Sequence, residues 1–328
     1  MYAPVPLIKW FLHKFTKLCE LQRICYGEPT GAPRAKGVER CLELSRTPQL
    51  VEMIKILNEI VENELTDEDF FADVTDRALA TVLRVKKIKP RIHPDFPAAF
   101  EMCVEQIWGY RRLYHEVERL RKTPYDCDNI NHEMKLNQLW KLLMPEVVLE
   151  ARVTKQWQDI GFQGDDPKTD FRGMGILSLE NLLFFATEYH GAAQHVLSHS
   201  HHPKHGYTFA IVGINLTSMA YKLLKSGAAK THVYNSVYST PSINTFHHLY
   251  CYLFYEFDRY WMDTKTQNEN PFLFTHNVIT QEEAGRANAS LMKIPEFSRR
   301  YRMRFDHHPN PSVKTDILDR DQFSRRLK

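Results

Sequence analysis

The sequence of 328 residues predicts an all-α protein. Apolar residues recur at spacings of three and four in several long stretches, as they do on one face of an α-helix. Prolines and glycines stand at the ends of these stretches, where helices stop. Runs with the strict alternation of a β-strand are absent. We therefore expect a single compact multi-helix domain with an amphipathic helix at its N-terminal side.

Residues 1–26 predict that amphipathic helix, which is short and basic. Such a helix can lie in a membrane interface through residues 7–19, or it can pack on the main domain. The pattern leaves both possibilities open. The apolar face consists of Leu7, Ile8, Phe11, Leu12, Phe15, Leu18 and Cys19.

Residues 27–48 contain the stretch GEPTGAPRAKG, whose glycines and prolines predict a linker. An all-helical domain is expected over residues 49–262. Gly227 is a plausible C-cap within it. The expected helices cover residues 51–61, 74–88, 100–120, 131–144, 149–160, 178–189, 207–226 and 242–261.

Residues 263–328 are polar and basic and lack helical periodicity until their end, which predicts a mobile tail. The basic cluster SRRYRMRFDHHPNP within it could touch acidic lipids or a partner protein. Its prolines and polar composition favour a solvated tail.

The composition excludes several functional classes. The net charge is +3, with both signs interleaved, so nucleic acid is not expected as a partner. The six cysteines form no CxxC pair, which indicates free thiols in a reducing compartment such as the cytoplasm. No apolar run reaches the roughly 18 residues of a membrane span, and no signal-peptide pattern is evident. P-loop and GxGxxG motifs are absent, so we expect no nucleotide site, and the absence of GxSxG leaves no signature of a serine nucleophile.

The segment HVLSHSHHPKH invites comparison with a zinc site. His195 and His199 would share one face of a helix, because they are four residues apart. The HExxH glutamate is missing, since Val196 follows His195. An exposed turn between two helices is the favoured interpretation, with no metal bound.

The stretch WQDIGFQGDDPKTDFRGMGILSLENLLFF, residues 157–185, carries the most unusual pattern in the chain. Its centre predicts a structured loop between two helices, because glycines permit unusual backbone angles and Pro167 fixes one. Phe162 and Phe171 are expected to anchor this loop in the core. The other members expected to shape the loop are Gly161, Gln163, Gly164, Asp165, Asp166, Thr169, Asp170, Gly173 and Gly175.

Arg172 stands in this loop between an aromatic residue and a glycine. It could form an ion pair with one of the loop aspartates, dock a protein partner, or act as an arginine finger on a GTPase. Spacing does not choose among these roles. A divalent metal on Asp165, Asp166 and Asp170 is disfavoured, because the EF-hand spacing is absent.

The 157–185 motif resembles the signature of the ELMO domain, in the branch of ELMO-domain-containing GTPase activators. Other stretches resemble the same branch, and the resemblance runs from about Trp10 to Trp261. These stretches are CELQRIC, PYDCDNINHEMKLNQLWKLLMP, HPKHGYTFAIVGINLTSMAYKLLKSGA and FHHLYCYLFYEFDRYW. Ser178 stands where that branch has glycine, and the tail after Trp261 has no counterpart in it.

The resemblance implies a compact helical domain that activates Arf and Arf-like GTPases through a single arginine. That arginine corresponds to Arg172, and this chain would need no cofactor of its own. GTP and Mg²⁺ would belong to the partner GTPase. A peripheral location on intracellular membranes, mitochondria or the endoplasmic reticulum and Golgi, is also implied. The alternative is a non-catalytic effector or scaffold, as in the branch that assists exchange factors.

Overall fold

A computed structural model describes residues 5–62, 68–236 and 240–264 of the chain. Every regular element in these ranges is helical, which confirms the all-α class. The α-helices are α1 Val5–Thr16, α2 Glu20–Gly27, α3 Ala32–Glu43, α4 Pro48–Glu62, α5 Glu68–Lys86, α6 Phe96–Lys122, α7 Ile130–Leu143, α8 Ile176–Glu188, α9 His190–Ser200, α10 Phe209–Ser226, α11 Lys230–Ser236 and α12 Ile243–Thr264. Two 3₁₀ helices, Lys155–Ile160 and Pro167–Gly173, lie between α7 and α8.

The prediction of a linker over residues 27–48 is wrong, because residues 32–43 form α3. Pro33 lies in the first turn of this helix, where the missing N–H is not needed. Ala35, Val38 and Leu42 keep a three-four spacing across Gly37, and all three are buried. Val38 and Leu42 share a core with Leu21 of α2 and with α4, α5 and α6, so the helical core begins before residue 49.

The N-terminal segment also differs from the single helix expected over residues 1–26. Lys17 has a φ of 58°, a left-handed conformation that separates α1 from α2. Gln22 accepts a hydrogen bond from the Cys19 backbone N–H and so caps the start of α2. Residues 7–19 therefore span one helix and a break.

The helix expected over residues 149–160 is wrong for its first half, and its second half is the 3₁₀ helix Lys155–Ile160. The chain after α7 passes through turns and bends to Thr154, whose backbone N–H donates to the Asp165 carbonyl oxygen at 2.9 Å. The Thr154 side chain caps the 3₁₀ helix. Residues 149–154 are thus bonded to the following segments instead of forming helical turns. The tail expected over 263–328 lies outside the described residues from 265 onward.

Two hydrophobic cores organise the fold, and α6 runs through both. Phe96, Phe100 and Val104 in its first half belong to the core shared with α2 to α5. Leu113 and Val117 in its second half belong to the larger core formed with α7 to α12. Because fully burying one such side chain contributes about 1.5–3 kcal/mol, this single helix joins the two cores firmly.

A polar network crosses the larger core and ties three helices together. Asn181 of α8 donates from Nδ2 to Oγ1 of Thr217 on α10, at 3.0 Å. Nδ1 of His247 on α12 lies 2.7 Å from Oδ1 of Asn181. Burial lowers the pKa of His247 to about 3, so its ring is neutral and donates a hydrogen bond from Nδ1 to Asn181.

Gly227 ends α10 with a φ of 80°, which confirms the predicted C-cap.

Candidate functional site

A chain of aromatic rings fixes the loop between Gly161 and Gly175. Trp140 of α7 meets Trp157 edge to face with centroids 5.4 Å apart. Trp157 meets Phe162 at 5.9 Å, Phe162 meets Phe171 at 5.6 Å, and Phe171 meets Tyr125 at 5.1 Å. Trp157, Phe162 and Phe171 are almost fully buried. The predicted anchoring by Phe162 and Phe171 is therefore confirmed, and the loop is attached at several points along its length.

The two outer glycines are the ones on which the loop geometry depends. Gly161 has a φ of 83°, and a Cβ there would lie 2.2 Å from the Phe209 backbone nitrogen at the start of α10. Gly175 has a φ of 57°, and its Cβ would lie 2.3 Å from the carbonyl oxygen of Thr123 just after α6. A side chain at either position would be strained and would collide with backbone atoms. Gly164 and Gly173 have open space around them.

The loop aspartates accept hydrogen bonds from the loop itself, as expected for turn and cap residues. Asp166 caps the second 3₁₀ helix, because its Oδ1 accepts from the Lys168 N–H at 2.9 Å. Oδ2 of Asp170 accepts from the Gln163 N–H at 3.0 Å, which closes the loop from the other side. Burial raises the pKa of Asp170 above its usual value.

The remaining loop members add smaller contacts. Asp165 accepts from the Gln158 side chain at 3.2 Å. The Thr169 hydroxyl donates to the Asp166 carbonyl oxygen at 3.2 Å. Pro167 is buried in the first turn of the second 3₁₀ helix, where its ring suits the backbone.

Arg152, which the sequence pattern did not single out, pairs with one of these carboxylates and with a glutamate of α7. Its Nη1 lies 2.9 Å from Oδ1 of Asp166, and its Nε lies 2.6 Å from Oε2 of Glu133 on α7. The Tyr125 hydroxyl donates to Glu133 at 2.6 Å, and burial raises the pKa of that tyrosine. The loop, α7 and the segment before the first 3₁₀ helix are thus held by one cluster of charges.

Arg172 lies at the exposed end of the second 3₁₀ helix, with a polar and solvent-facing side chain. Its Nε donates to the Thr169 carbonyl oxygen at 2.8 Å. Across the part of the chain that the structure describes, no carboxylate lies within ion-pair distance of its guanidinium. The structure therefore pairs Asp166 with Arg152 and not with Arg172, whose charge opposes the rise that burial causes in the pKa of Asp170 without forming an ion pair.

Lys168 and Gln163 of the same loop are also exposed. Nζ of Lys168 lies 3.3 Å from Sγ of Cys127, just before α7. The three loop aspartates do not form a metal-binding group in the described ranges, whereas Asp126, Cys127 and Asp128 have donor atoms within 4.8 Å of one another. Those three residues are mostly exposed, and the Lys168 ammonium lies against the thiol.

The sequence of this motif matches a known domain family. The profile of the ELMO/CED-12 family matches residues 115–273. ELMO domain-containing protein 2 of Bos taurus is 47% identical over 261 residues, which cover 80% of this chain and 84% of that protein. The chain belongs to the ELMO/CED-12 family.

Other members of the ELMO/CED-12 family match over still more of the chain. ELMO domain-containing protein 1 of Mus musculus is 44% identical over 313 residues, covering 89% of this chain and 90% of that protein. ELMO domain-containing protein B of Dictyostelium discoideum is 31% identical over 285 residues, covering 84% and 91% of the two chains. The similarity thus includes both hydrophobic cores of the ELMO-type fold and the 157–185 motif.

None of the helices in the described ranges is both long and apolar enough to cross a membrane. Exposed apolar residues lie on α1, at the N-terminal side of this ELMO-type fold. Phe15 is 81% exposed, and its ring stacks on that of Phe11 with centroids 6.4 Å apart.

Proposed function

We propose that this protein is a GTPase-activating protein for Arf-family and Arf-like small GTPases, with Arg172 as its arginine finger. The observation that carries the proposal is the state of Arg172. Its guanidinium is exposed on a firmly anchored loop, yet it forms no ion pair with the acidic residues next to it.

The anchoring of the loop supports this role because a finger must be held before the partner arrives. The aromatic chain and the hydrogen bond from Gln163 to Asp170 fix the backbone on both sides of the second 3₁₀ helix. The hydrogen bond from Nε to Thr169 then sets the direction of the guanidinium. Preorganised charge of this kind contributes most to catalysis, because no reorganisation is needed during the reaction.

The chemistry asked of Arg172 is electrostatic. With Nε bonded to Thr169, the two terminal nitrogens remain to donate to phosphate oxygens as a planar fork. In a GTPase site they would stabilise the charge that develops on the transferring phosphoryl group. GTP and Mg²⁺ belong to the partner, and this chain would contribute no cofactor.

The decisive experiment is a single-turnover GTP hydrolysis assay across a panel of Arf-family GTPases. The full chain should accelerate hydrolysis by at least one of them at substoichiometric concentration. A non-catalytic effector would instead bind the GTP-bound form and leave its hydrolysis rate unchanged or lower. That result would contradict the proposal and favour the scaffold role.

We also propose that the protein acts in the cytoplasm at the surface of intracellular membranes, such as mitochondria or the endoplasmic reticulum and Golgi. Phe11, Leu12 and Phe15 of α1 are 46%, 43% and 81% exposed, which leaves apolar surface for a lipid interface. His13 and Lys14 lie in the last turn of α1, where basic groups suit anionic headgroups. Residues 7–19 would then make the peripheral contact.

A further inference from the structure

Three residues of types that bind metals form a cluster between α9 and α12. His195 and His199 are four residues apart on α9, and their rings lie side by side with centroids 4.1 Å apart. Asp258 of α12 reaches the same point, with Oδ2 2.8 Å from Nδ1 of His199. Donor atoms of all three residues lie within 4.8 Å of one another.

The third member of the cluster is buried and held in place. Asp258 is 1% exposed, and its Oδ1 accepts from the Tyr207 hydroxyl at 2.6 Å. A buried carboxylate beside two imidazoles is costly to maintain unless a cation compensates its charge.

We propose that His195, His199 and Asp258 form a Zn²⁺ site. Two imidazole nitrogens and one carboxylate oxygen are a donor set that zinc accepts, with a fourth position for water. His195 is exposed, so solvent can reach that position. The site is separate from the Arg172 loop, and it does not depend on the proposed GTPase activation.

The geometry needs only small side-chain movements to bind the ion. Tetrahedral zinc with bonds of about 2.0–2.1 Å places its ligand atoms about 3.3 Å apart. Zinc would take the place of the proton that now lies between His199 and Asp258, which are slightly closer than that. His195 can rotate toward them because its side chain faces solvent.

The surroundings also resemble those of a metal site. Metal-bound carboxylates are oriented by hydrogen bonds from neighbouring groups, and the Tyr207 hydroxyl provides one here. The same tyrosine packs edge to face on Phe257 and Trp261, so the donor is fixed by the core. Zinc would then join α9 to α12 and stabilise the folded state.

The test uses the full chain after removal of metal with a chelator. Calorimetric titration with ZnCl₂ should show saturable one-to-one binding. Thermal unfolding at a zinc concentration about a hundredfold above Kd should give a midpoint about 4–5 °C higher than without metal. Co²⁺ in place of zinc should give a tetrahedral visible spectrum without the near-ultraviolet band of a thiolate ligand, which excludes binding to the free cysteines.

His195→Ala removes one ligand and leaves the bonds between His199, Asp258 and Tyr207 in place. Because His195 is exposed, this variant should fold normally. Zinc affinity should fall by at least about a hundredfold, since the loss of even an outer partner typically costs 10–100-fold. His190→Ala, an exposed histidine at the start of the same helix, is the matched control and should bind zinc as the unchanged protein does.

Absence of saturable zinc binding by the unchanged protein would overturn the proposal. So would a His195→Ala variant that keeps its zinc affinity, because the ion would then be held by other residues, such as the histidines between α9 and α10. Equal losses in His195→Ala and His190→Ala would also contradict it, since they would indicate diffuse chelation by surface histidines.

Discussion

Arg152 and Asp166 form an ion pair with Nη1 and Oδ1 2.9 Å apart, and this contact neutralises one carboxylate of the acidic loop. Asp166 also caps the second 3₁₀ helix, so a single carboxylate links the helix start to Arg152. Arg172 therefore need not balance Asp166, although its charge still favours the ionised form of Asp170. Its availability to another molecule depends on an arginine twenty positions earlier in the chain.

Arg172→Lys should keep the fold and lose most of the GTPase activation. Lysine carries the charge but lacks the planar fork and the Nε that bonds Thr169. Arginine fingers typically contribute about 10³–10⁵ in rate, or roughly 4–7 kcal/mol of barrier. The measurements are the thermal midpoint and single-turnover hydrolysis by a responsive GTPase.

We expect a nearly unchanged midpoint for Arg172→Lys, with activation reduced at least about a hundredfold. Arg119→Lys, an exposed arginine on α6, should leave both quantities unchanged and serves as the control. Full activation by Arg172→Lys would place the catalytic group elsewhere, first at Gln163 or Lys168.

Arg152→Met should destabilise the protein. The substitution leaves Glu133 and Asp166, both only partly exposed, without their cation. Each carboxylate loses a hydrogen bond to a charged group, which contributes about 1.5–3 kcal/mol, although Tyr125 and the Lys168 N–H still donate to them. Urea unfolding should show a lower midpoint at an unchanged slope, while Arg119→Met on the exposed face of α6 should show little change. Equal stability of the two variants would mean that the cluster does not hold the loop.

Gly175→Ala and Gly173→Ala make a matched pair within one loop. Alanine at position 175 requires an unfavourable φ of 57° and collides with backbone carbonyl oxygens, whereas a Cβ at position 173 meets no atom within 4 Å. Gly175→Ala should therefore lower the free energy of unfolding by about 2–3 kcal/mol or more, and Gly173→Ala by less than about 1. Chemical denaturation of both variants tests this, and similar losses would show that the loop relaxes around residue 175.

His247 should make the protein sensitive to mild acid. Its pKa is about 3 in the folded state and about 6.5 in the unfolded chain, so the unfolded state binds more protons between these values. The free energy of unfolding should consequently fall as pH drops below 6.5, by about 2 kcal/mol at pH 5 from this residue alone.

His247→Gln provides the comparison, because its amide can still donate to Asn181 but does not titrate. Urea unfolding from pH 7.5 to pH 5 should show a shallower loss of stability in the variant. Parallel pH profiles would show that His247 does not titrate across folding.

Replacing Phe11, Leu12 and Phe15 together by serine should release the protein from anionic liposomes. These side chains are the exposed apolar part of α1. Sedimentation with liposomes measures the bound fraction. A double variant of Ile92 and Val148, which are 66% and 85% exposed elsewhere, controls for the general loss of apolar surface. Unchanged sedimentation of the α1 variant would show that α1 does not provide the membrane contact.

Much of this fold could be predicted from local patterns. The long amphipathic helices α6, α10 and α12 follow the apolar spacing of the sequence, because one face of each is buried. α3 was missed because Pro33 and its neighbouring glycines resemble a linker, although Pro33 only occupies the first turn. A tertiary contact, the burial of Val38 and Leu42, stabilises the helix in spite of its composition.

The candidate site shows the same limit. Phe162, Phe171 and the loop glycines could be recognised within one motif, because their roles are local. Arg152 could not, since the carboxylates that it binds come from α7 and from the loop beyond the first 3₁₀ helix. Asp258 stands 59 residues from His199, and nothing in the histidine-rich segment indicates that a carboxylate of α12 reaches it.

The two glycines with positive φ make the arginine-bearing motif dependent on parts of the chain outside the motif. Gly161 lies against the first backbone amides of α10, and Gly175 lies against the last carbonyl groups of α6. A synthetic peptide of residues 157–185 would lack both surfaces, together with Trp140 and Glu133 of α7. It would carry the same guanidinium on a flexible backbone. Grafting the stretch onto another scaffold would therefore transfer the sequence of the motif without its geometry.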